Sequence, residues 1–273
     1  MTDGTFVDEL ERIAQEAAEP AELERGNVYA FRLGAKVEVV DLTGDQYRDT
    51  PARKVGTVRV RDVASFATYW GKHHQPGRSE VYADRDARTV TAVIDAHGDE
   101  ADATGWAQHR LVLGLTFSPA LTAWLERDGR HMSQEQFAEF LDDQRADIRE
   151  PSAAEMLEIA QTIQGTQRVD WRAGHRLVDG QRRIGFTETN EAKAGTKGEL
   201  AIPVSIVIGV QIFDGSEVAH ALSARFRHRI EGGQLRLMYK LDRPADVVTA
   251  AFNGVVDEVA EATGATVLRG APA

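Results

Sequence analysis

The chain has 273 residues, 42% of them hydrophobic and 27% charged, which is typical of a globular protein with a sizeable core in one large domain or two small ones. It contains no cysteine, which excludes disulfides, thiolate zinc sites and cysteine nucleophiles. The formal net charge is −11, but residues 1–150 carry 28 acidic and 18 basic residues whereas residues 151–273 carry 15 and 14. We therefore expect a polarised molecule that binds a polyanion on its basic part or contacts a second copy head to tail.

The sequence predicts neither a membrane segment nor a leader peptide. No apolar run approaches the ~20 residues of a membrane span, and the first 20 residues are acidic and lack an apolar core. The absence of cysteine suits a reducing cytoplasm. We expect a protein without a membrane partner.

The first 130 residues predict helices and strands in alternation. Apolar residues at helical spacing indicate a helix over residues 5–19, and Asp62 is placed to cap a helix over Val63–His73. Strand patterns cover Val28–Leu42, Val55–Arg61, Glu80–His97 as a hairpin, and Leu111–Phe117.

Three further helices open with clear N-terminal signals. The residues that provide them are Ser118 with Pro119 in the first turn, Ser133 with Gln136, and Ser152 with Glu155. A last helix is expected to begin after Asp242 as its cap, with Pro244 near its start.

The last third of the chain is dominated by hairpin patterns. Asp179-Gly180 is a strong signal for a two-residue turn between strands Arg168–Val178 and Gln181–Thr189. In that register the side chains of Arg172, Arg176 and Arg183 share one face, and Arg176 lies opposite Arg183. A flexible connector over Asn190–Gly198 and strand material over Leu200–Phe213 follow.

The segment Ala221–Leu241 has the most regular alternation in the chain. A Gly232-Gly233 turn separates two strands in which apolar and polar residues alternate at almost every position. Because side chains on a strand point to opposite faces with period two, one face is apolar and the other is cationic. The basic residues expected on the cationic face are Arg225, Arg227, Arg229, Arg236 and Lys240.

Three interpretations of these basic residues remain open. Arginines at strand spacing can bind phosphates, as in a platform for nucleic acid or a nucleotide, but no aromatic residues alternate with them as base stacking requires. They can form an intersubunit seam with acidic helices, near Asp142-Asp143-Asp147 or near Glu9-Glu11-Glu16. They can also be a solvated face with intramolecular ion pairs.

No catalytic constellation of comparable strength is found. The sequence has no GxSxG, HExxH, Walker A or CxxC motif, so we assign no catalytic residue, no metal ligand and no cofactor. His73 and His74 end a helix and are expected to be solvated there. A weaker hypothesis is a metal-dependent hydrolase, since three carboxylates beside an imidazole suit Mg²⁺ or Mn²⁺. Its residues would be Asp84, Asp86, Asp95 and His97.

Several segments together resemble the YfdQ-like family of phage and prophage proteins. They are SEVYADRDARTVTAVIDAHG, MLEIAQT, EAKAGTKGELAIP, ARFRHRI and LRLMYKLDRPADV, and the resemblance extends from about Val55 to Val259. It implies a phage-derived protein that works in the host cytoplasm. It brings no established activity and no catalytic residues.

The element order predicts an α+β fold with antiparallel sheets, packed helices, and C-terminal β-hairpins followed by a terminal helix. We expect an N-terminal helix and arm over residues 1–50, an acidic α+β half over 51–150, and a hairpin-rich half with basic faces over 151–273, either separate from the preceding half or continuous with it. The leading hypothesis is a non-enzymatic protein that forms a homo-oligomer, as a ring or a closed shell. The alternative is a protein that binds single-stranded nucleic acid or a nucleotide in phage recombination or counter-defence.

Overall fold

The computed structural model describes residues 7–9, 22–33, 36–98, 103–172, 185–194 and 200–273. The chain divides into two compact units, Met1–Val55 and Gly56–Ala273. Helices accompany antiparallel and mixed sheets, so the predicted α+β class is confirmed. In the described parts of the chain, no helix combines the length and the apolar character needed to cross a membrane.

The smaller unit contains a two-stranded antiparallel ribbon. Its strands are β1 (Val28–Leu33) and β2 (Lys36–Asp41), and Val28 pairs with Asp41 at the open end of the ribbon. A single 3-10 turn over Asp45–Tyr47 follows. Residues 7–9 are helical, and most of the helix predicted over residues 5–19 lies outside the described residues.

The first sheet of the larger unit has five strands in the order β14-β4-β5-β6-β3. They are β3 (Gly56–Val60), β4 (Glu80–Asp84), β5 (Thr89–Val93), β6 (His109–Gly114) and β14 (Val267–Arg269). The central pairs are antiparallel, whereas the two outer strands, β3 and β14, pair in parallel. Helix α1 (Val63–His73) packs against β6.

The second sheet of the larger unit is antiparallel throughout and has the order β7-β13-β12-β11-β8. Its strands are β7 (Met132–Ser133), β8 (Ile148–Glu150), β11 (Ser205–Gln211), β12 (Ala219–Glu231) and β13 (Gln234–Leu241). The helices that pack beside it are α2 (Pro119–Arg127), α3 (Gln134–Asp143) and α4 (Ala153–Thr162). The last helix, α5 (Pro244–Thr263), contacts both β12 and α1, and thereby spans the two sheets.

One continuous core underlies both sheets. The backbone also joins them: the amide of Ser118 donates to the carbonyl of Ile212 at 3.0 Å, and the amide of Asp214 donates to Thr116 at 2.9 Å. Between these bonds the rings of Phe117 and Phe213 stack with centroids 6.2 Å apart. The two sheets therefore belong to one packed unit.

The helix starts follow the sequence closely, with one exception. The side chains of Asp62, Ser118, Ser133 and Ser152 each accept the expected backbone hydrogen bond at a helix N-terminus. The prediction that Asp242 caps the last helix is wrong, because Arg243 occupies that position in a left-handed conformation, with φ of 46°. The Asp242 carboxylate accepts instead from the side chain of Arg225.

A second two-stranded ribbon is formed by β9 (Gln164–Arg172) and β10 (Gly185–Lys193), and β9 also contacts β12. A two-residue turn at Asp179-Gly180 would pair Arg172 with Thr187, whereas the structure pairs Arg172 with Gly185. A shift of two residues keeps each side chain on its face, so the alternation alone does not fix this register. The connector predicted from Asn190 is wrong at its start, because β10 continues through Lys193.

Candidate interaction surfaces

The strands β12 and β13 form a hairpin around two glycines in the left-handed region. Gly232 and Gly233 have φ of 57° and 78°, and Glu231 pairs with Gln234 across them. Two consecutive positive φ values define the turn type whose twist matches that of the flanking strands. This turn fixes the register, so Arg225 lies opposite Lys240, Arg227 opposite Met238 and Arg229 opposite Arg236.

The hairpin has a buried face and a cationic face, as the alternation predicts. On the inner face Phe226 is 6% exposed and Tyr239 is fully buried, with its hydroxyl donating to the carbonyl of Trp124 at 2.6 Å. Burial is the main cause that raises the pKa of Tyr239 far above its usual value. The outer face carries five cations, which we call the basic face: Arg225, Arg227, Arg229, Arg236 and Lys240.

Carboxylates of the same chain neutralise three of these five cations. Arg225 pairs with Asp242 at 2.8 Å and Arg229 with Glu231 at 2.8 Å. These pairs offset the repulsion between like charges that lie opposite one another on the two strands. Both pairs are about half exposed, and exposed pairs of this kind contribute only ~0.2–1 kcal/mol, so a partner's carboxylate can replace them at little cost.

The third pair is better protected. The Lys240 ammonium lies 2.6 Å from Asp128, whose side chain is only 14% exposed and also accepts from the amide of Leu241 at 2.8 Å. Of the remaining two cations, Arg236 donates to Gln234 at 3.2 Å. Arg227, at the centre of the row, has no carboxylate partner in the described part of the chain.

Two further residues belong to this side of the sheet and were not predicted from the sequence. A Cβ added at Gly209 would lie 2.8 Å from Nε of Arg149, so the Arg149 side chain crosses β11 there. His131 is exposed beside Arg229 and Arg236, and desolvation followed by the Arg229 charge lowers its pKa. Neither has a local sequence signal, because tertiary folding brings both to the sheet.

The structure does not describe the side chains of the three other predicted basic residues. Arg172 is the last residue of β9. Arg176 and Arg183 lie outside the described residues. Their role therefore stays a prediction.

An acidic groove runs between α3 and α4. It has a volume of about 580 Å³, and three exposed carboxylates, Glu135, Glu139 and Asp142, follow one another along α3 beside Leu157 of α4. None of the three forms an ion pair with a described residue. Asp147, which the sequence grouped with Asp142, instead accepts from the indole of Trp124 at 2.8 Å, and Glu11 and Glu16 lie outside the described residues.

The ribbon β1–β2 exposes apolar side chains on both of its faces. Val28, Val37 and Val39 share one face and are 57%, 64% and 62% exposed. On the other face the rings of Tyr29 and Phe31 stack with centroids 6.3 Å apart. Neither strand has a second neighbour among the described residues.

A polar cluster lies on the outer side of β4. The imidazole Nε2 of His97 is 2.8 Å from Oε1 of Glu80, and the Tyr82 hydroxyl donates to the other carboxylate oxygen of Glu80. The hydrogen bond from Tyr82, followed by the one to His97, lowers the pKa of Glu80. The same bond to Glu80 raises the pKa of Tyr82.

The carboxylates of the metal-hydrolase hypothesis form hydrogen bonds with nearby backbone amides or an ion pair with a neighbouring residue. Asp84 accepts from the amides of Asp86 and Ala87 in the β4–β5 turn, and Asp86 pairs with Arg85. Asp95 accepts from the amides of Gln108 and His109. No group of three ligating side chains placed to hold a metal is found among the residues that the structure describes.

The two helix-terminal histidines contact neighbouring rings and also face solvent, His73 as a half-buried residue and His74 as an exposed one. The ring of His73 lies 4.3 Å from Tyr69 and 5.5 Å from His109, measured between centroids. His74 stacks on Trp70 at 5.1 Å and its Nδ1 lies 3.0 Å from the Trp70 carbonyl. The expected solvent exposure therefore holds for His74 and only in part for His73, while ring contacts at i and i+4 hold both imidazoles beside the helix.

A scan against family models matches residues 9–272 to the family described as "Uncharacterized conserved protein (DUF2303)". The chain belongs to this family. No curated protein matches the chain, and no solved structure matches it. In this family member, the basic face, the acidic groove and the β1–β2 ribbon are the candidate interaction surfaces.

Proposed function

We propose that the protein is a non-enzymatic accessory protein of phage or prophage origin that self-associates into a homo-oligomer, as a ring or a closed shell. It acts there as a structural or interaction module. The phage origin and the host cytoplasm as its location rest on the resemblance of five segments to the YfdQ-like proteins.

The observation that carries self-association is the exposed apolar surface of the β1–β2 ribbon. An isolated two-stranded ribbon is marginally stable in water and needs a partner surface. Each fully buried valine or phenylalanine contributes roughly 1.5–3 kcal/mol. Covering Val28, Val37 and Val39 with another copy therefore supplies several kcal/mol.

The non-enzymatic part of the proposal is supported by how the polar side chains are used. Asp84 and Asp95 satisfy backbone amides, and Asp128 joins a helix end to β13. These bonds organise turns and helix ends, which is the ordinary structural role of aspartate.

The test is the native mass of the purified protein at micromolar concentration, measured by light scattering, against 30.0 kDa for one chain. We expect a multiple of that mass. The double variant Val37→Thr and Val39→Thr keeps the β-branched shape but replaces a methyl by a hydroxyl at each position, and we expect it to lower the mass. A monomeric wild-type protein would overturn the proposal.

The alternative function is binding of single-stranded nucleic acid or a nucleotide. Arg227, exposed and without a carboxylate partner in the described chain, favours it, since arginine binds phosphate in a bidentate manner. Against it, the aromatic side chains of the hairpin, Phe226 and Tyr239, are buried on the opposite face and unavailable for base stacking.

Binding to a labelled oligonucleotide at low salt tests the alternative. A salt-dependent complex that is lost when Arg225, Arg229 and Arg236 are changed to glutamine would support it. No complex at low salt would remove it.

A further inference from the structure

We propose that the acidic groove between α3 and α4 receives the basic face of a second copy, so that copies join head to tail. This inference rests on the proposed self-association and names its partner surfaces. Three observations support it. They are the positions of the acidic row and the basic face in the fold, the side chains in both that form no ion pair with a described residue, and the spacing of the charges.

The two surfaces lie on opposite sides of one helix-on-sheet layer. Helix α3 packs its apolar side on the inner face of the hairpin: the ring of Phe137 lies 5.5 Å from Phe226, and Phe140 stacks on Tyr239 at 5.7 Å. At 3.6 residues per turn, Glu135, Glu139 and Asp142 project on the side of α3 opposite to these phenylalanines. The acidic row therefore faces away from the sheet whose outer side carries the basic face.

This arrangement decides which contacts are possible. Within one molecule the layer itself separates the acidic row from the basic face. Two copies of the same patch repel each other, because each patch carries mainly one sign of charge. The favourable contact joins the groove of one copy to the basic face of the next, and such a heterologous contact generates a ring when it closes.

Both the acidic groove and the basic face contain charged side chains that form no ion pair with a described residue. Glu135, Glu139 and Asp142 form no ion pair with any described residue, and the same holds for Arg227. The flanking pairs of Arg225 and Arg229 are exposed and exchangeable.

The spacings also agree. Successive arginines on β12 are about 6.6 Å apart, from two residues of strand rise. The carboxylates at positions 135, 139 and 142 are about 6.0 and 4.5 Å apart along the helix axis. Long side chains take up differences of this size, so each arginine can reach a carboxylate. Met238 beside Arg227, and Leu157 in the groove, add apolar contact at the centre.

The experiment is a charge swap read by native mass and by dissociation on dilution. We expect Arg227→Glu and Glu139→Arg, each alone, to raise the apparent dissociation constant by roughly tenfold or more, because each places like charges opposite one another. The double variant with both changes should recover the wild-type mass, since each altered row then meets its complement on the next copy. Matched controls are Arg61→Glu and Glu261→Arg, which make the same charge changes at exposed positions outside both surfaces.

The outcomes separate the two proposals. A monomeric wild-type protein refutes self-association itself. An oligomeric wild type whose mass is unchanged in both single variants refutes only this seam, and so does a double variant that stays dissociated while its circular dichroism matches the wild type. Should either single variant lose folded structure, Arg227→Gln and Glu139→Gln replace it, and an unchanged dissociation constant in both would again overturn the seam.

Discussion

At the scale of single residues, Asp128 connects two elements of the second sheet region. It follows the last turn of α2, and its carboxylate accepts from the Leu241 amide at 2.8 Å and from the Lys240 ammonium at 2.6 Å. Its side chain is mostly buried, so water replaces these bonds poorly.

We expect Asp128→Ala to lower the free energy of unfolding by about 2–3 kcal/mol, because a buried amide and an ammonium lose a charged acceptor. Urea denaturation measures it. Asp257→Ala removes an exposed carboxylate that lies outside the proposed interaction surfaces and has no ion pair in the described chain, and it should change stability by less than about 0.5 kcal/mol. Equal effects of the two variants would contradict this role of Asp128.

A pH-dependent contribution follows from Glu80. Hydrogen bonds from Tyr82 and His97 lower its pKa in the folded protein. A carboxyl group with a lowered folded-state pKa stabilises the fold above its unfolded value of roughly 4.3, and this contribution disappears as the pH falls through the folded value.

Glu80→Gln should therefore be less stable than the wild type from pH 5 upward, and the two should converge as the pH falls below about 4. Unfolding curves at a series of pH values measure this. A stability difference that does not change with pH would show that the carboxylate charge is not the cause.

At the scale of elements, the hairpin β12–β13 shows which structural features a local sequence pattern can predict. Alternation predicts which side chains share a face because period two is a property of the strand itself. The Gly232-Gly233 turn then fixes the register, since both φ values lie in the left-handed region. The helix caps at Asp62, Ser118 and Ser133 were predictable for the same reason: a cap involves residues three apart.

Properties that depend on tertiary contacts were not predictable from the sequence. The ion pair of Lys240 requires Asp128, which the fold brings to the hairpin from the end of α2. Likewise, Arg149 reaches Gly209 only through the pairing of β8 with β11. The acidic groove needs α3 and α4 side by side, and the capping motifs that predict each helix say nothing about their contact.

Two glycines should respond to alanine in opposite directions. Gly232→Ala should destabilise the protein by roughly 1 kcal/mol, because its φ of 57° is unfavourable for a residue with a Cβ. Gly254 lies exposed in the middle of α5, where an added Cβ meets no atom within 4 Å beyond its chain neighbours and the backbone of its own helix, so Gly254→Ala should stabilise the protein by about 0.5–1 kcal/mol. Thermal unfolding of both variants tests this, and a shift of the same sign in both would contradict it.

At the scale of the whole molecule, the boundary between the two compact units falls at Val55 and Gly56. The core residues of both five-stranded sheets all belong to the larger unit. We therefore expect that unit to fold without the first 55 residues.

Limited trypsin digestion tests this independence. Lys54 is exposed next to the boundary, so we expect cleavage after it to leave a fragment that begins at Val55. The fragment should keep a cooperative thermal transition, because its core is intact. Rapid degradation of residues 56–273 after that cleavage would show that the larger unit depends on the smaller one.

The second sheet of the larger unit ends in very short strands, two residues in β7 and three in β8. Such short edge strands have few unpaired backbone N–H and C=O groups, so a strand from a neighbouring molecule would form few hydrogen bonds there. In the proposed homo-oligomer, contacts made through this sheet therefore depend on attraction between charged side chains, which salt weakens without unfolding the protein. We expect subunits to move between particles while still folded, so that tagged and untagged populations, once mixed, become randomly interspersed at moderate ionic strength.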